Sequence, residues 1–129
     1  MIILTGSDGF IGKHFKNSLE SGQQLILPVD VDNASTVDEI KNVWNISWDE
    51  VSMIIHQGAL SSTTNINIDA IYKYNIVFSI ELFKKAIKHK IPVKYASSAS
   101  VYGTQKDKIN PLNYYALSKT TVDYWVMDN

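Results

Sequence analysis

Thr5-Gly6-Ser7-Asp8-Gly9-Phe10-Ile11-Gly12 is the stretch from which the rest of the sequence can be read. The apolar run before it, Ile2-Ile3-Leu4, has the pattern of a short buried strand. After it, Ile11, Phe15 and Leu19 recur at four-residue steps, which predicts a helix over Phe10 to Glu20. The glycines therefore fall on a strand-to-helix turn, the context in which a glycine pattern becomes a phosphate site. Gly6 would permit the tight turn, Gly9 a close backbone approach to a pyrophosphate, and Gly12 close packing of the helix on the strand. The helix N-terminus adds unpaired N–H groups and the positive end of a dipole. The spacing is G-x-x-G-x-x-G and not G-x-G-x-x-G, and three glycines also serve plain turns. The turn alone leaves both readings open.

The bulk numbers narrow the class. The chain has 129 residues, 45% hydrophobic and 19% charged, with a net charge of −1. That is enough for one domain with a core, and it argues against a basic nucleic-acid surface. All twelve cationic side chains are lysines, so arginine's bidentate fork is not available for any anion. There is no cysteine, hence no disulfide, thiolate nucleophile or cysteine zinc site. This fits a reducing compartment, and a cytoplasmic location is expected. Met1-Ile2-Ile3 enters the fold without a basic leader, and no apolar run nears the roughly 18 residues of a membrane span.

Further along, Leu25 to Asp30 reads as a second strand, with Pro28 better suited to a sheet edge. Asp30 ends it about 20 residues past the glycine turn, where an acidic residue binds the adenosine ribose of a dinucleotide. A solvated turn aspartate is the alternative. Over residues 31–50, Val37, Ile40, Val43 and Trp44 suggest a short helix capped by Ser35 or Thr36, and Ser47 to Glu50 another helix start. No third strand is expected there, which would leave the second strand at the edge. Val51 to His56 is the next strand, followed by Gln57-Gly58-Ala59, small enough for a flat ligand to lie on the backbone. His56 is read as a packed histidine and not as a ligand or base. Ser61-Ser62-Thr63-Thr64 is a hydroxyl-rich loop that also suits a helix cap. A long helix is expected over Asp69 to Lys90, with Ile76, Ile80, Phe83 and Ile87 on one stripe and a solvated lysine-rich end. Pro92 to Ala96 is a further strand, running into Ser97-Ser98, and Pro111-Leu112-Asn113 opens the last helix of the sequence. Strands alternating with helices imply an α/β fold with a doubly wound parallel sheet. The glycine turn, Asp30, Gly58-Ala59 and Ser97-Ser98 then fall at the strands' carboxyl edge, where ligands bind.

Tyr115 and Lys119 are one helical turn apart and share a face. A free tyrosine has a pKa near 10, and a neighbouring ammonium favours its phenolate. With Ser98 hydrogen-bonding a substrate oxygen, the pair would move a proton on or off a carbinol while hydride moves to or from a nicotinamide. A solvated helix pair is the plain alternative, and Tyr114 with Ser118 is a competing register that lacks the cation.

Gly6-x-x-Gly9-x-x-Gly12, the serine strand end leading into Val101-Tyr102-Gly103, and Tyr115-x-x-x-Lys119 together resemble the extended short-chain dehydrogenase/reductase family. Residues His56 to Thr64, Ile91 to Ala99 and Pro111 to Lys119 resemble, more narrowly, the ADP-glyceromanno-heptose 6-epimerases within it. The resemblance implies a Rossmann fold and an NAD or NADP cofactor. It implies that Phe10 and Ile11 lie along the pyrophosphate, that Asp30 holds the adenosine ribose, and that Gln57, Gly58, Ala59, Leu60 and Ser61 line the cofactor. Lys119 would hold the nicotinamide ribose, Tyr115 would be the acid/base and Ser98 its partner. Asn75 falls where the family has an asparagine in its long helix, and is counted among the cofactor-binding residues. No metal is implied.

Three departures shape the expectation. The family runs to about twice this length, and its second half supplies most of the sugar-nucleotide pocket and, in the heptose epimerases, a second catalytic lysine. Residues 1–129 are therefore expected to be a single Rossmann domain, truncated before the substrate-binding part. Tyr74 stands where a cofactor-contacting asparagine is expected. With no arginine, and no lysine soon after Asp30, a 2′-phosphate is poorly matched, so NAD is preferred over NADP. The first reading is the cofactor-binding half of a nucleotide-sugar epimerase of the heptose type. The others are a non-catalytic dinucleotide-binding or interaction module, and a hexose 4-epimerase or 4,6-dehydratase relative. The partner is a sugar nucleotide, without nucleic acid or membrane. An apolar patch around Tyr124, Trp125 and Val126 is expected to promote homo-oligomers.

Overall fold

Ile2-Ile3-Leu4-Thr5 shows no polar alternation because both of its faces are covered. In the computed structural model it forms β1 (Ile2–Thr5), with all four residues buried. The structure describes the backbone of residues 1–129 and every side chain except those of Val43 and Trp44. β1 lies between β2 (Ile26–Val29) and β3 (Met53–His56), and β4 (Val93–Tyr95) lies beyond β3. All pairs are parallel, with Leu4 opposite Pro28 and Ile55, and Thr5 opposite Val29 and His56. The sheet order is β2-β1-β3-β4. Among the described residues no strand separates β2 from β3, so β2 is the edge strand and Pro28 sits where a missing N–H does least harm.

The chain divides into two compact units, Met1–Gly58 with Glu81–Ala96, and Ala59–Ile80 with Ser97–Asn129. The first holds the whole sheet. Strand alternation puts Ile2, Leu4 and Ile55 on one face, where Leu19 of α1 (Phe10–Ser21) packs against them. The expected Ile11-Phe15-Leu19 face turns inward only at Leu19. Ile11 and Phe15 are exposed, and the buried residue of α1 is Gly12. The reason is contact by backbone: the helix start lies so close to the preceding turn that a bare Cα fills the inward position. Gly22 ends α1 as its cap, but the left-handed residue is the next one, Gln23, with φ 58°.

α2 (Val37–Trp44) starts at Thr36, whose hydroxyl accepts from the Glu39 N–H while the Glu39 carboxylate accepts from the Thr36 N–H. This reciprocal pairing satisfies two orphan donors of the first turn. Val37 and Ile40 are buried as the pattern requires; the side chains of Val43 and Trp44 lie outside the described residues. The expected helix start at Ser47 is a single 3₁₀ turn, Trp48–Glu50.

The long helix is continuous from Ile68 but not uniform. α3 (Ile68–Ile71) passes through a π-helical turn (Tyr72–Val77) into α4 (Phe78–His89). Its first part, to Ile80, belongs to the second unit, where the buried positions are Ile71, Asn75 and Ser79. From Glu81 it belongs to the first, where Leu82, Phe83 and Ala86 are buried. The expected stripe is correct only at Phe83: Ile76 and Ile80 are half-buried and Ile87 is 57% exposed. Two causes combine. The π turn adds a residue and rotates the helix beyond it, and the inward positions before Ile80 carry Asn75 and Ser79, invisible to an apolar count. In the second unit α5 (Tyr114–Asp128) starts at Asn113, whose side chain accepts from the Ala116 N–H. It leaves Tyr124, Val126 and Met127 exposed and Trp125 half-buried. No helix among the described residues is long and apolar enough to cross a membrane.

Replacing Thr36 with Ala should lower unfolding free energy by about 1 kcal/mol, read as a drop in the urea midpoint at unchanged slope. An unchanged midpoint would mean that α2 starts without its cap.

Candidate functional site

In the first unit the glycine turn is held by backbone contacts. Gly6 takes a left-handed φ of 69°, and a β-carbon there would come within 2.8 Å of the Gly58 Cα. A methyl on Gly12 would overlap the Gly6 carbonyl oxygen. Gly12 thus packs on the turn itself, not on the strand. Gly9 is the extended residue before α1, with no side chain capping the helix. The first intrahelical bond runs from the Lys13 N–H to the Gly9 carbonyl at 2.9 Å. The N–H groups of Phe10, Ile11 and Gly12 precede that bond, and no acidic side chain occupies the first turn. The side chains of Phe10 and Ile11 project outward, the former 83% exposed.

Asp30 closes this site from the end of β2. Its Oδ2 accepts from the Asp8 N–H at 3.0 Å and its Oδ1 from the Val31 N–H at 2.8 Å. The carboxylate is therefore oriented by the same turn that carries the glycines. On the other side the Thr5 hydroxyl accepts from the Gly58 N–H at 3.0 Å and lies 2.6 Å from His56 Nδ1. His56 is buried, with Phe83 edge-on at 5.6 Å. As read from the sequence, it is a packed residue; its position fixes Thr5 and, through Thr5, Gly58. Gln57 is half-buried and its N–H bonds the Thr5 carbonyl at 3.3 Å. Gly6, Gly12, Asp30, Gln57 and Gly58 are thus brought together in one unit. A backbone-only cradle with free N–H groups at a helix start fits a pyrophosphate, and a fixed carboxylate that makes no ion pair among the described residues fits a ribose diol.

The second unit carries the acid–base candidates. Tyr115 and Lys119 lie in the first turns of α5, with Tyr115 half-buried and Lys119 only 4% exposed. Burial lowers the lysine's pKa from its ordinary 10.5, and the Asp123 carboxylate one turn on partly opposes that. Ser98 caps the 3₁₀ turn Ala99–Tyr102: its Oγ accepts from the Ser100 N–H at 3.2 Å and lies 2.8 Å from the Ser100 hydroxyl. Gly103 ends that turn with φ 57°, where any side chain would strike the Asn110 carbonyl.

Ala59 and Leu60 are half-buried and Ser61 is exposed. Asn75 holds this loop. Its Oδ1 accepts from the Leu60 N–H at 2.7 Å, and its Nδ2 donates to the Leu60 carbonyl and to Ser118 Oγ, both at 3.0 Å. Ser118 donates its own proton to the Tyr115 carbonyl at 2.7 Å. Both amide hydrogens of Asn75 are committed within the unit, so its geometry is that of a brace, not of a donor turned outward. The sequence reading missed Ser118 in this role, as well as Asp123 and Ser97. Asp123 had a signal, since it lies four residues after Lys119.

A model of the NAD dependent epimerase/dehydratase family matches residues 2–128. The chain belongs to that family. Solved structures agree at the level of the fold. The Helicobacter pylori ADP-L-glycero-D-manno-heptose-6-epimerase superposes with a TM-score of 0.78 at 24% identity, over 98% of this chain and 49% of that one. A dTDP-4-dehydrorhamnose reductase from Clostridium acetobutylicum gives 0.83 at 21% identity, again over 98% and 49%. The UDP-glucuronic acid 4-epimerase from Bacillus cereus, solved in complex with NAD, gives 0.78 at 18% identity over 98% and 51%. The chain spans about half the length of these structures.

The state of Lys119 has a measurable consequence for stability. Its folded pKa lies below its unfolded value, so between the two the unfolded chain binds more protons and stability rises with pH. Lys119→Met should be more stable than the parent at neutral pH, and the difference should shrink as pH rises toward 10.5. Urea melts of both proteins across that range test this; a difference that is flat in pH would contradict it.

Proposed function

We propose that the chain binds NAD at the glycine turn and carries the acid–base group of a nucleotide-sugar epimerase of the heptose 6-epimerase type. The observation that carries the reading is Lys119. A chance Tyr-x-x-x-Lys pair on a helix surface would be solvated, yet this lysine is 4% exposed and desolvated. Burial of an ammonium is costly, and such sites are concentrated where chemistry is done.

In this reading the N–H groups that open α1, flanked by Phe10 and Ile11, receive the pyrophosphate, and Asp30 the adenosine ribose. Gln57 to Ser61 line the cofactor, and Asn75 acts by holding Leu60. When bound, the nicotinamide supplies reversible hydride acceptance at a sugar carbinol. Tyr115 takes and returns the carbinol proton, Lys119 favours the phenolate and holds a ribose, and Ser98 hydrogen-bonds the substrate oxygen. The Asp30 carboxylate, with no arginine in the chain, would repel a 2′-phosphate, which favours NAD over NADP. The heptose type is supported by the segments His56 to Thr64 and Pro111 to Lys119. Turnover of a sugar nucleotide is proposed for a protein containing these residues together with a substrate-binding part.

Calorimetric titration of this chain with NAD, and separately with NADP, tests the first step. Saturable binding of NAD is expected, with weaker NADP binding. Gly12→Ala should cost at least about tenfold in affinity, or about 1.4 kcal/mol, in a variant whose circular dichroism confirms folding. Absence of binding by either dinucleotide would overturn the reading.

A further inference from the structure

The second unit contains a carboxylate, Asp123, to which the proposed function gives no task. Asp123 lies one helical turn after Lys119 on α5, so the two side chains share a face. The Asp123 carboxylate does not stand alone. Its Oδ2 accepts the Ser97 hydroxyl at 2.6 Å, a short charge-assisted bond to the segment beyond β4. Ser97 immediately precedes Ser98, whose hydroxyl caps the next turn. Adjacent serines thus have separate tasks, one on the local turn and one on α5.

We propose that Asp123, oriented by the Ser97 hydroxyl, is a positioning residue that holds the buried Lys119 in its charged form. The physical need is plain. An ammonium at 4% exposure loses most of its hydration, and the desolvation favours the neutral amine. A neutral amine would neither favour a phenolate at Tyr115 nor offer three donors. An opposite charge on the same face offsets this, and its field on Lys119 acts in that direction. The other titratable groups on elements that pack on α5 in the second unit are weaker candidates, and Tyr102 of the 3₁₀ turn is exposed. Tyr115 is one turn earlier on α5. On the preceding helix Asp69 and Tyr72 are exposed, and Tyr74 is half-buried with the Lys73 ammonium 5.1 Å over its ring. Ser97 adds direction: it fixes one carboxylate oxygen, so the rotamer that serves Lys119 is not lost to solvent.

This inference rests on the assignment of Lys119 as the partner of Tyr115, but its test does not. The test is an NMR titration of the lysine Cε–Hε signals of this chain from pH 7 upward. The Lys119 signal is assigned by its loss in Lys119→Met. Asp123→Asn should move the Lys119 midpoint to lower pH, Asp123→Glu should restore it toward the parent, and Ser97→Ala should give a smaller shift in the same direction. An unchanged or raised midpoint in a folded Asp123→Asn protein would overturn the proposal. Should that variant fail to fold, Ser97→Ala decides, and an unchanged midpoint there overturns it. A purely structural role would alter stability without moving the midpoint. Failure to bind NAD would sink the assignment of the site but leave this titration unaffected, so the two failures are distinguishable.

Discussion

The contact on which the first unit depends is one of backbone on backbone, between Gly6, Gly12 and Gly58. β1 ends, turns at Gly6 against Gly58 after β3, and restarts as α1 with Gly12 pressed on the Gly6 carbonyl. Side chains at these positions would force the helix start away from the strand ends. Because nothing intervenes, the free N–H groups of α1 stand directly beyond the carboxyl end of β1, and Asp30 reaches the same turn through the Asp8 N–H. The exposure of those N–H groups and the closeness of packing are the same feature. Thr5 belongs to it as well, since its hydroxyl fixes Gly58 while His56 fixes the hydroxyl.

The second unit is organised by polar groups instead. Asn75 joins a loop, a π-helical turn and α5 through hydrogen bonds that leave its amide hydrogens fully used. Ser79 bonds back to the Asn75 carbonyl at 2.7 Å, answering a main-chain oxygen within the widened turn. Such a network has value only when complete, because a buried amide left half satisfied costs more than an apolar replacement. No buried side-chain polar atom among the described residues lacks a partner.

How much of this was legible depends on what kind of signal each residue gives. Uninterrupted apolar runs marked β1 and β3, and the glycine turn marked the crossover, because burial on both faces and a bare Cα leave traces in residue type. The edge position of β2 was legible through Pro28. The nearness of Asp30 to the glycine turn was legible by its spacing from it, and its carboxylate accepts from the Asp8 N–H. The buried stripe of the long helix was not, because two of its inward positions are Asn75 and Ser79, and an apolar count reads polar residues as outward. Gln23 was also illegible: residue type points to the adjacent Gly22 as the left-handed residue after α1. Burial of Lys119 is a property of its surroundings and left no mark in its own segment.

The edge of the sheet has a bearing on how the molecule behaves among copies of itself. The carbonyls of Leu25 and Val29 accept from Ile2 and Gly6, so Pro28, out of phase with them, directs its main-chain groups to the open side. Proline has no hydrogen to offer there, and its carbonyl already accepts from Asn33 Nδ2 at 3.2 Å. An added strand would find neither donor nor free acceptor at that position. An apolar edge of four residues, otherwise a template for cross-molecule pairing and aggregation, is blunted at its third residue by one ring and one amide.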